Sequence, residues 1–283
     1  MDGTIVCIGS GNMGCALMRG AAASMGAGGI FFTDADGDKA RQAAAALGAG
    51  VFASNAEAAR RGAYVFLAVK PQVMPAVLEE IAPVLAARLE AEGAGGFKAL
   101  VTMAAGWSIG KVQSLLGQGG AAGVPVVRIM PNTPALVSRG MIALAASAEF
   151  TALAELEGLL SAAGVVDRVE ESYLDAVTGL SGSGPAFVYM FIEALADGGV
   201  RAGLSRDKAL RYAAQTVLGS AAMVRETGKH PGELKDMVCS PGGTTIAGVA
   251  ALERAGFRGA VMDAVDAAWR RAVELGDARN RKP

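Results

Sequence analysis

Short, continuous apolar runs alternate with helical patterns in the chain up to Asp167. A run that is apolar at every position is typical of a strand buried on both faces of a sheet. Such strand–helix alternation predicts an α/β fold with a doubly wound parallel sheet of the Rossmann type. The predicted strands are 4–8, 30–33, 64–69, 99–103 and 126–130, with further candidates at 141–145 and 165–169, and the clearest helices are 36–47 and 75–91.

From Glu170 onward the chain carries only helical patterns. The sequence therefore predicts two domains, an α/β domain over 1–167 and an all-α domain over 168–283. The helices predicted in the second domain are 171–180, 185–199, 206–226, 232–238, 244–255 and 258–275.

One predicted helix of the second domain has no polar face. Residues 187–192 read Phe-Val-Tyr-Met-Phe-Ile, and a helix that is apolar all round must be covered on every side. A small helical domain cannot easily cover it alone, so we expect a homodimer whose copies interdigitate here. The alternative is the central helix of a compact monomeric bundle.

Composition narrows the function classes. The chain has 283 residues with 19% charged and 52% apolar residues and a net charge of −1, which gives no reason to expect nucleic acid or an anionic membrane as a partner. No apolar stretch approaches the ~18 residues of a membrane helix, and no signal segment is evident at the N-terminus. Three cysteines without metal spacing and a single histidine, His230, predict no metal site and suit a reducing cytoplasm.

The first strand leads directly into a glycine-rich loop. Gly9, Ser10, Gly11, Asn12, Met13 and Gly14 spell G-x-G-x-x-G between a predicted strand and a predicted helix, the arrangement that binds a dinucleotide pyrophosphate. We expect Gly9 to make the tight turn, Gly11 to let the pyrophosphate approach, and Gly14 to let the helix pack on the strand.

An acidic corner follows the second strand. Asp34 lies 20 residues after Gly14, where a carboxylate often accepts a hydrogen bond from the adenosine ribose 2′-hydroxyl. Three carboxylates in this corner, Asp34, Asp36 and Asp38, argue against binding of a 2′-phosphate. The nearby cations Lys39 and Arg41 could nevertheless pair with one. The sequence alone leaves NADH and NADPH both open.

A second turn can bind a small anion. Ser240-Pro241-Gly242-Gly243-Thr244-Thr245 precedes a helical pattern that begins near Thr244. Glycines and hydroxyls at a helix start leave backbone N–H groups and side-chain donors directed at one spot, which suits a carboxylate. The simpler interpretation is a helix N-cap after a tight turn.

The chain resembles the pyrroline-5-carboxylate reductase family over nearly its whole length. The resemblance is carried by seven segments, which are Asp175–Ala186, Glu193–Val200, His230-Pro231, Leu234–Asp236, Ser240–Ile246, Ala68–Pro71 and Arg128–Pro134. It implies the last step of proline biosynthesis, in which NADPH or NADH delivers hydride to the cyclic imine Δ1-pyrroline-5-carboxylate and L-proline leaves.

The resemblance also implies roles for individual residues. Asn55 matches a family residue that contacts the cofactor ribose, and further cofactor contacts are expected at two strand ends, from Ala68, Val69, Lys70 and Pro71 and from Met103, Ala104 and Ala105. Ser240, Gly242, Gly243 and Thr244 would bind the substrate carboxylate. Thr245 would place its hydroxyl near the imine nitrogen as the catalytic residue, orienting or relaying a proton because a threonine hydroxyl is a poor acid.

Two other interpretations remain open at this point. One is a dehydrogenase of the 3-hydroxyacid type, which needs a lysine base in its helical domain, where Lys208, Lys229 and Lys235 are available. The other is a regulatory module that binds a dinucleotide without turnover.

Overall fold

The computed structural model describes residues 3–92 and 96–280. The chain divides into two compact units, one comprising the described residues up to Gly182 with those from Ala268 onward, and the other Ser183–Ala267. The domain boundary drawn from the sequence at residue 167 stays a prediction.

In the described part of the first unit, eight strands form one sheet in the order β3-β2-β1-β4-β5-β6-β7-β8. The strands are β1 (Ile5–Ile8), β2 (Ile30–Thr33), β3 (Gly50–Val51), β4 (Tyr64–Leu67), β5 (Ala99–Thr102), β6 (Val126–Pro131), β7 (Gly140–Ala146) and β8 (Gly164–Arg168). The helices are α1 (Asn12–Met25), α2 (Gly37–Leu47), α3 (Asn55–Arg61), α4 (Met74–Glu92), α5 (Ile109–Gln118), α6 (Leu153–Leu160) and α7 (Leu174–Val177).

The sheet buries both of its faces, which explains why its strands are apolar at every position. Successive residues of a strand point to opposite faces. Ile5 and Cys7 of β1 pack in the core cluster on one side of the sheet, while Val6 and Ile8 pack in the cluster on the other side. The Rossmann-type α/β fold predicted from the sequence is confirmed.

One strand departs from the predicted parallel arrangement. β7 pairs with β6 in antiparallel fashion, although β8 then pairs with β7 in parallel. A parallel connection needs a crossover of about a dozen or more residues, whereas residues 132–139 contain only a short 3₁₀ turn, Thr133–Val137. The chain therefore has to reverse direction. The short edge strand β3, which contains Gly50, was missed in the sequence.

The second unit contains only helices within Ser183–Ala267, all of which lie among the described residues. They are α8 (Gly184–Arg201), α9 (Arg206–Thr227), α10 (Pro231–Met237), α11 (Thr244–Arg254) and the first part of α12 (Phe257–Asn280). The predicted all-α character of this region is confirmed. His230 caps α10, because its Nδ1 accepts a hydrogen bond from the Gly232 amide at 3.1 Å.

Candidate active site

Packing requires glycine at Gly9, in the loop between β1 and α1, and at Gly14, in the first turn of α1. Gly9 has a φ of +100°, and a Cβ on it would lie 2.7 Å from the Ala68 carbonyl oxygen. A Cβ on Gly14 would lie 2.8 Å from the Gly9 carbonyl oxygen and 2.9 Å from Cys7 Sγ. Both glycines therefore hold the loop against the sheet, at the positions where the motif predicts a tight turn and a close helix contact.

Gly11 is different, because nothing packs against it. Its φ of −72° is open to any residue, and it is the N-cap of α1 without a side-chain hydrogen bond to the helix. A Cβ there would meet no atom of the described part of the chain within 4 Å. The first turn of α1, which begins with Asn12 and Met13, contains no acidic residue. The helix N-terminus thus offers backbone N–H groups to open space, which fits a pyrophosphate.

Asp34 ties the glycine loop to the end of β2. Its Oδ2 accepts hydrogen bonds from the Ser10 amide and the Ser10 hydroxyl, each at 2.8 Å, and its Oδ1 accepts one from the Asp36 amide at 3.0 Å. Partial burial acts to raise the pKa of Asp34, but the bonds from Ser10 and Asp36 and the charge of Lys39 outweigh it, so the pKa lies below its usual range. Asp34 is therefore a carboxylate at neutral pH.

The loops after β4 and β5 reach the same edge of the sheet as the glycine loop, because β1, β4 and β5 are parallel neighbours. After β4, Ala68 and Val69 are half-buried and Lys70 is exposed. After β5, Ala104 is buried between the half-buried Met103 and Ala105. Trp107 joins the two loops by donating its indole N–H to the Pro71 carbonyl at 3.2 Å.

Asn55 lies beside the end of β2. Ser54, not Asn55, caps α3 by accepting the Glu57 amide at 3.1 Å, and Asn55 is the first helical residue. The Asn55 amide group donates to Glu80 Oε2 at 2.8 Å, and its oxygen faces the Thr33 hydroxyl at 3.5 Å. Its side chain is therefore held in place without a ligand.

Two polar residues on and after β6 organise this end of the unit, although the sequence suggested no role for either. Arg128 is 4% exposed and donates to Asp175 at 2.8 Å, with Glu171 at 3.4 Å. Glu171 also accepts the Ile109 amide at the start of α5 at 2.7 Å. Together with Gly106 these residues line a cavity of about 240 Å³. The feature of the sequence that could have revealed the role of Arg128 is a charged residue inside an otherwise apolar strand.

Asn132 joins three segments by its side chain. The amide nitrogen donates to the carbonyl and hydroxyl oxygens of Ser181, each at 3.2 Å. The amide oxygen accepts the Met141 amide at the start of β7 at 2.9 Å. Asn132 therefore fixes the turn at Ser181 against the sheet.

The proposed substrate turn lies in the second unit. Gly242 has a φ of +67°, which favours glycine, and the Gly243 amide donates to the Ser240 carbonyl at 3.0 Å. A Cβ on Gly243 would collide with Ser240 Oγ in its present rotamer, so a larger residue here would force this hydroxyl to turn away. Gly243 caps α11 without a side-chain bond, and Thr244 and Thr245 follow it as exposed residues. Three hydroxyls and uncapped N–H groups can receive a carboxylate.

All the predicted cofactor residues lie in the first unit, and all the predicted substrate residues lie in the second. Across the described residues, no group of three or more His, Cys, Asp and Glu side chains is placed to hold a metal ion. Among the helices within 3–92 and 96–280, none is long and apolar enough to cross a membrane.

Family models match both parts of the chain. Residues 171–275 match the model for pyrroline-5-carboxylate reductase dimerisation. Residues 4–89 match the model for NADP oxidoreductase, coenzyme F420-dependent.

Curated relatives cover most of the chain. A pyrroline-5-carboxylate reductase from Synechocystis is 48% identical over 78% of this chain and 78% of the relative. The enzyme of the same name from Escherichia coli is 39% identical over 97% of this chain and 99% of the relative.

Solved structures agree. A pyrroline-5-carboxylate reductase from Coxiella burnetii has a TM-score of 0.85 at 31% identity and covers 97% of this chain and 99% of its own. A Plasmodium falciparum pyrroline carboxylate reductase with NADP bound has a TM-score of 0.82 at 30% identity. The match covers 97% of this chain and 98% of that structure.

Because Gly11 and Gly14 have different surroundings, substitutions at the two positions should affect cofactor binding and folding stability to different extents. We expect Gly11→Ala to change the unfolding free energy by less than about 1 kcal/mol, because the methyl group meets no protein atom. The same methyl group fills the space in front of the helix N-terminus, so cofactor affinity should fall by at least about tenfold. Urea unfolding and fluorescence titration with NADH and NADPH measure the two effects.

Gly14→Ala is the matched control. Its methyl group would meet backbone oxygen, so it should destabilise the protein by about 1–3 kcal/mol. Wild-type affinity in Gly11→Ala for both cofactors would contradict the placement of the pyrophosphate at this loop.

Proposed function

Because the chain belongs to the pyrroline-5-carboxylate reductase family, we propose that it reduces Δ1-pyrroline-5-carboxylate to L-proline with NADPH or NADH. The observation that carries this proposal is the 39% identity to an enzyme of that name across 97% of the chain. Both units contain anion-binding geometry of the kind that the reaction needs, a loop for a pyrophosphate in one and a turn for a carboxylate in the other.

The first unit is proposed to hold the cofactor. The pyrophosphate would lie against Ser10, Gly11 and the first amides of α1, and the adenosine ribose near Asp34 and Asn55. A bound nicotinamide supplies the hydride. The small, half-buried side chain of Ala105 would leave room for a flat ring at this strand end, and the buried Ala104 packs in the core beside it. The hydrogen bond from Trp107 to Pro71 holds the two neighbouring loops together.

The second unit is proposed to anchor the substrate carboxylate. Ser240 would donate its hydroxyl and Thr244 its backbone N–H group, as at other helix N-termini that bind anions. The Gly243 N–H, which the sequence suggested as a further donor, already donates to the Ser240 carbonyl and so holds the turn instead. Gly242 contributes by its backbone conformation, since its φ of +67° sets the turn that presents these groups. An anchored carboxylate limits the orientations of the imine ring, which is how positioning lowers the barrier.

Thr245 is proposed as the catalytic residue. It is the second residue of α11 and is exposed, so its hydroxyl is accessible to a ligand bound at the turn. Reduction of the imine carbon requires a proton at the ring nitrogen. The threonine hydroxyl is too weak an acid to supply that proton itself, and it would instead hydrogen-bond the nitrogen and orient it.

Two of the three lysines that could serve as the base of a 3-hydroxyacid dehydrogenase are engaged by carboxylates. Lys235 lies 2.9 Å from Asp236, and the hydrogen bond and charge of that carboxylate raise the pKa of Lys235 above its usual value. A general base has to be deprotonated near neutral pH. Lys229 is engaged in an ion pair with Glu233 at 2.5 Å.

We also propose that two copies associate through the second unit. A groove of about 590 Å³ opens there between α8, α11 and α12, lined by Phe187, Phe191, Leu195, Leu252, Phe257 and Val261. Large apolar side chains around it are exposed, among them Met190 at 69% and Met262 at 67%. Monomeric proteins rarely expose a continuous apolar patch of this kind, and the match of this region to a dimerisation model supports a homodimer as the building block.

A cytoplasmic location remains part of the proposal. The three cysteines Cys7, Cys15 and Cys239 are free thiols. Burial, together with the nearby Cys15 and Asp34, raises the pKa of the Cys7 thiol well above its usual range, so this thiol is unreactive. Free thiols of this kind suit a reducing compartment.

The proposed reaction is tested by following NADPH and NADH oxidation with pyrroline-5-carboxylate and by identifying proline as the product. We expect proline to form in proportion to the cofactor consumed. Binding of a dinucleotide without consumption of the imine would instead indicate the regulatory module.

Thr245→Ala should lower kcat by about tenfold or more, the scale of one lost hydrogen bond at the reacting nitrogen. Cofactor affinity should be unchanged, because Thr245 is not among the proposed cofactor contacts. Thr245→Ser keeps the hydroxyl and should recover most of the rate. Steady-state kinetics measure both variants, and an equal loss in Thr245→Ser and Thr245→Ala would remove the hydroxyl from the mechanism.

Met190→Glu should weaken self-association, because a carboxylate in an apolar interface is costly unless it is paired. Met190 is exposed in a single copy, so the change should not harm the fold of that copy. Val137→Glu, at a side chain 72% exposed in the first unit, is the matched control. Sedimentation velocity over a range of concentrations measures the association, and identical profiles for the two variants would contradict the proposed surface.

A further inference from the structure

The two cations that follow the acidic corner after β2, Lys39 and Arg41, are both already paired with carboxylates. Lys39 lies 3.5 Å from Asp36, the N-cap of α2. Arg41 lies 2.6 Å from Asp38. Both cations therefore already face carboxylates one helical turn away, and a 2′-phosphate on the adenosine ribose would have to compete with those carboxylates for them.

Among residues 3–92 and 96–280, no cation is in hydrogen-bond contact with Asp34. Its three hydrogen bonds come from neutral donors, the Ser10 amide, the Ser10 hydroxyl and the Asp36 amide. A carboxylate offers about four acceptor positions, so one remains on Oδ1. The hydrogen bonds fix the side chain in place, and its lowered pKa keeps it charged.

A fixed carboxylate with one free acceptor position discriminates between the two forms of the ribose. A 2′-hydroxyl can donate to that position. A 2′-phosphate has no comparable donor at neutral pH and brings negative charge to a carboxylate that cannot turn away, because Ser10 holds it.

We propose that Asp34 makes this protein prefer NADH to NADPH, by accepting the ribose 2′-hydroxyl and excluding the 2′-phosphate. The inference rests on the proposed function only in its use of a nicotinamide dinucleotide. A member of the family has been found with NADP bound, so the preference belongs to the residues of this corner and not to the family as a whole.

Equilibrium binding to the full-length wild-type protein is the first test. NADH should bind about 10- to 100-fold more tightly than NADPH, the range expected for a hydrogen bond to a charged group. Adenosine 5′-monophosphate should likewise bind more tightly than adenosine 2′,5′-bisphosphate. The two fragments contain no nicotinamide, so they report on the adenosine corner alone.

Asp34→Asn is the second test. The asparagine oxygen can still accept both bonds from Ser10, so the loop keeps its main anchor while the negative charge is lost. The ratio of NADH affinity to NADPH affinity should fall by about tenfold or more. Asp167→Asn removes the same charge from an exposed position of β8, at the opposite edge of the sheet, and should leave the ratio unchanged.

Several results would overturn the proposal. They are equal or tighter binding of NADPH by the wild type, tighter binding of the bisphosphate, or a ratio that Asp34→Asn and Asp167→Asn change equally. Failure of the proposed reaction is distinguishable, because a protein that prefers NADH in binding but does not consume pyrroline-5-carboxylate would retain the preference and lose the function. If Asp34→Asn does not fold, the wild-type measurements still decide the question.

Discussion

The close approach of the first loop to the neighbouring strand is the constraint on which the first unit depends. The backbone at Gly9 lies so near the Ala68 carbonyl that no side chain fits, and Gly14 brings α1 against the same place. This contact sets where α1 begins and which direction its N-terminus faces. Because both faces of the sheet are covered by helices, the strand ends are where a ligand can reach the backbone. The same few glycines therefore determine how the loop and α1 pack on the sheet and shape the proposed cofactor site.

The sequence predicted an element best where a single physical requirement determined its residues. β1, β2 and β4 were predicted within two residues, because a strand buried on both faces must be apolar throughout. The direction of β7 was not predictable from its own residues, since it follows from the short connection after β6. The role of Arg128 was missed for a related reason. Its partners Glu171 and Asp175 are distant in sequence, and only the fold brings them to it.

In the candidate site, too, some roles were evident from the sequence and others only from the fold. The motif residues Gly9, Gly11 and Gly14 could be assigned separate roles from spacing alone. In the structure Gly9 and Gly14 are closely packed, whereas Gly11 faces open space. In the second unit, the reason for Gly243 became visible only with the position of the Ser240 hydroxyl. The engagement of Asn55 with Glu80 was also not evident from the sequence, because it joins the start of α3 to α4.

Asp34 links the architecture of the loop to the choice of cofactor. The carboxylate that would meet the ribose also holds the amide and hydroxyl of Ser10, next to the glycine that leaves space for the pyrophosphate. A substitution that removes the charge but keeps an acceptor separates these two roles, whereas one that removes the acceptor loosens the loop as well. A change of cofactor preference in this chain therefore requires a residue that still accepts hydrogen bonds from Ser10. Freed cations at Lys39 or Arg41 would not be sufficient while Asp34 remains charged, because the carboxylate would still face the phosphate.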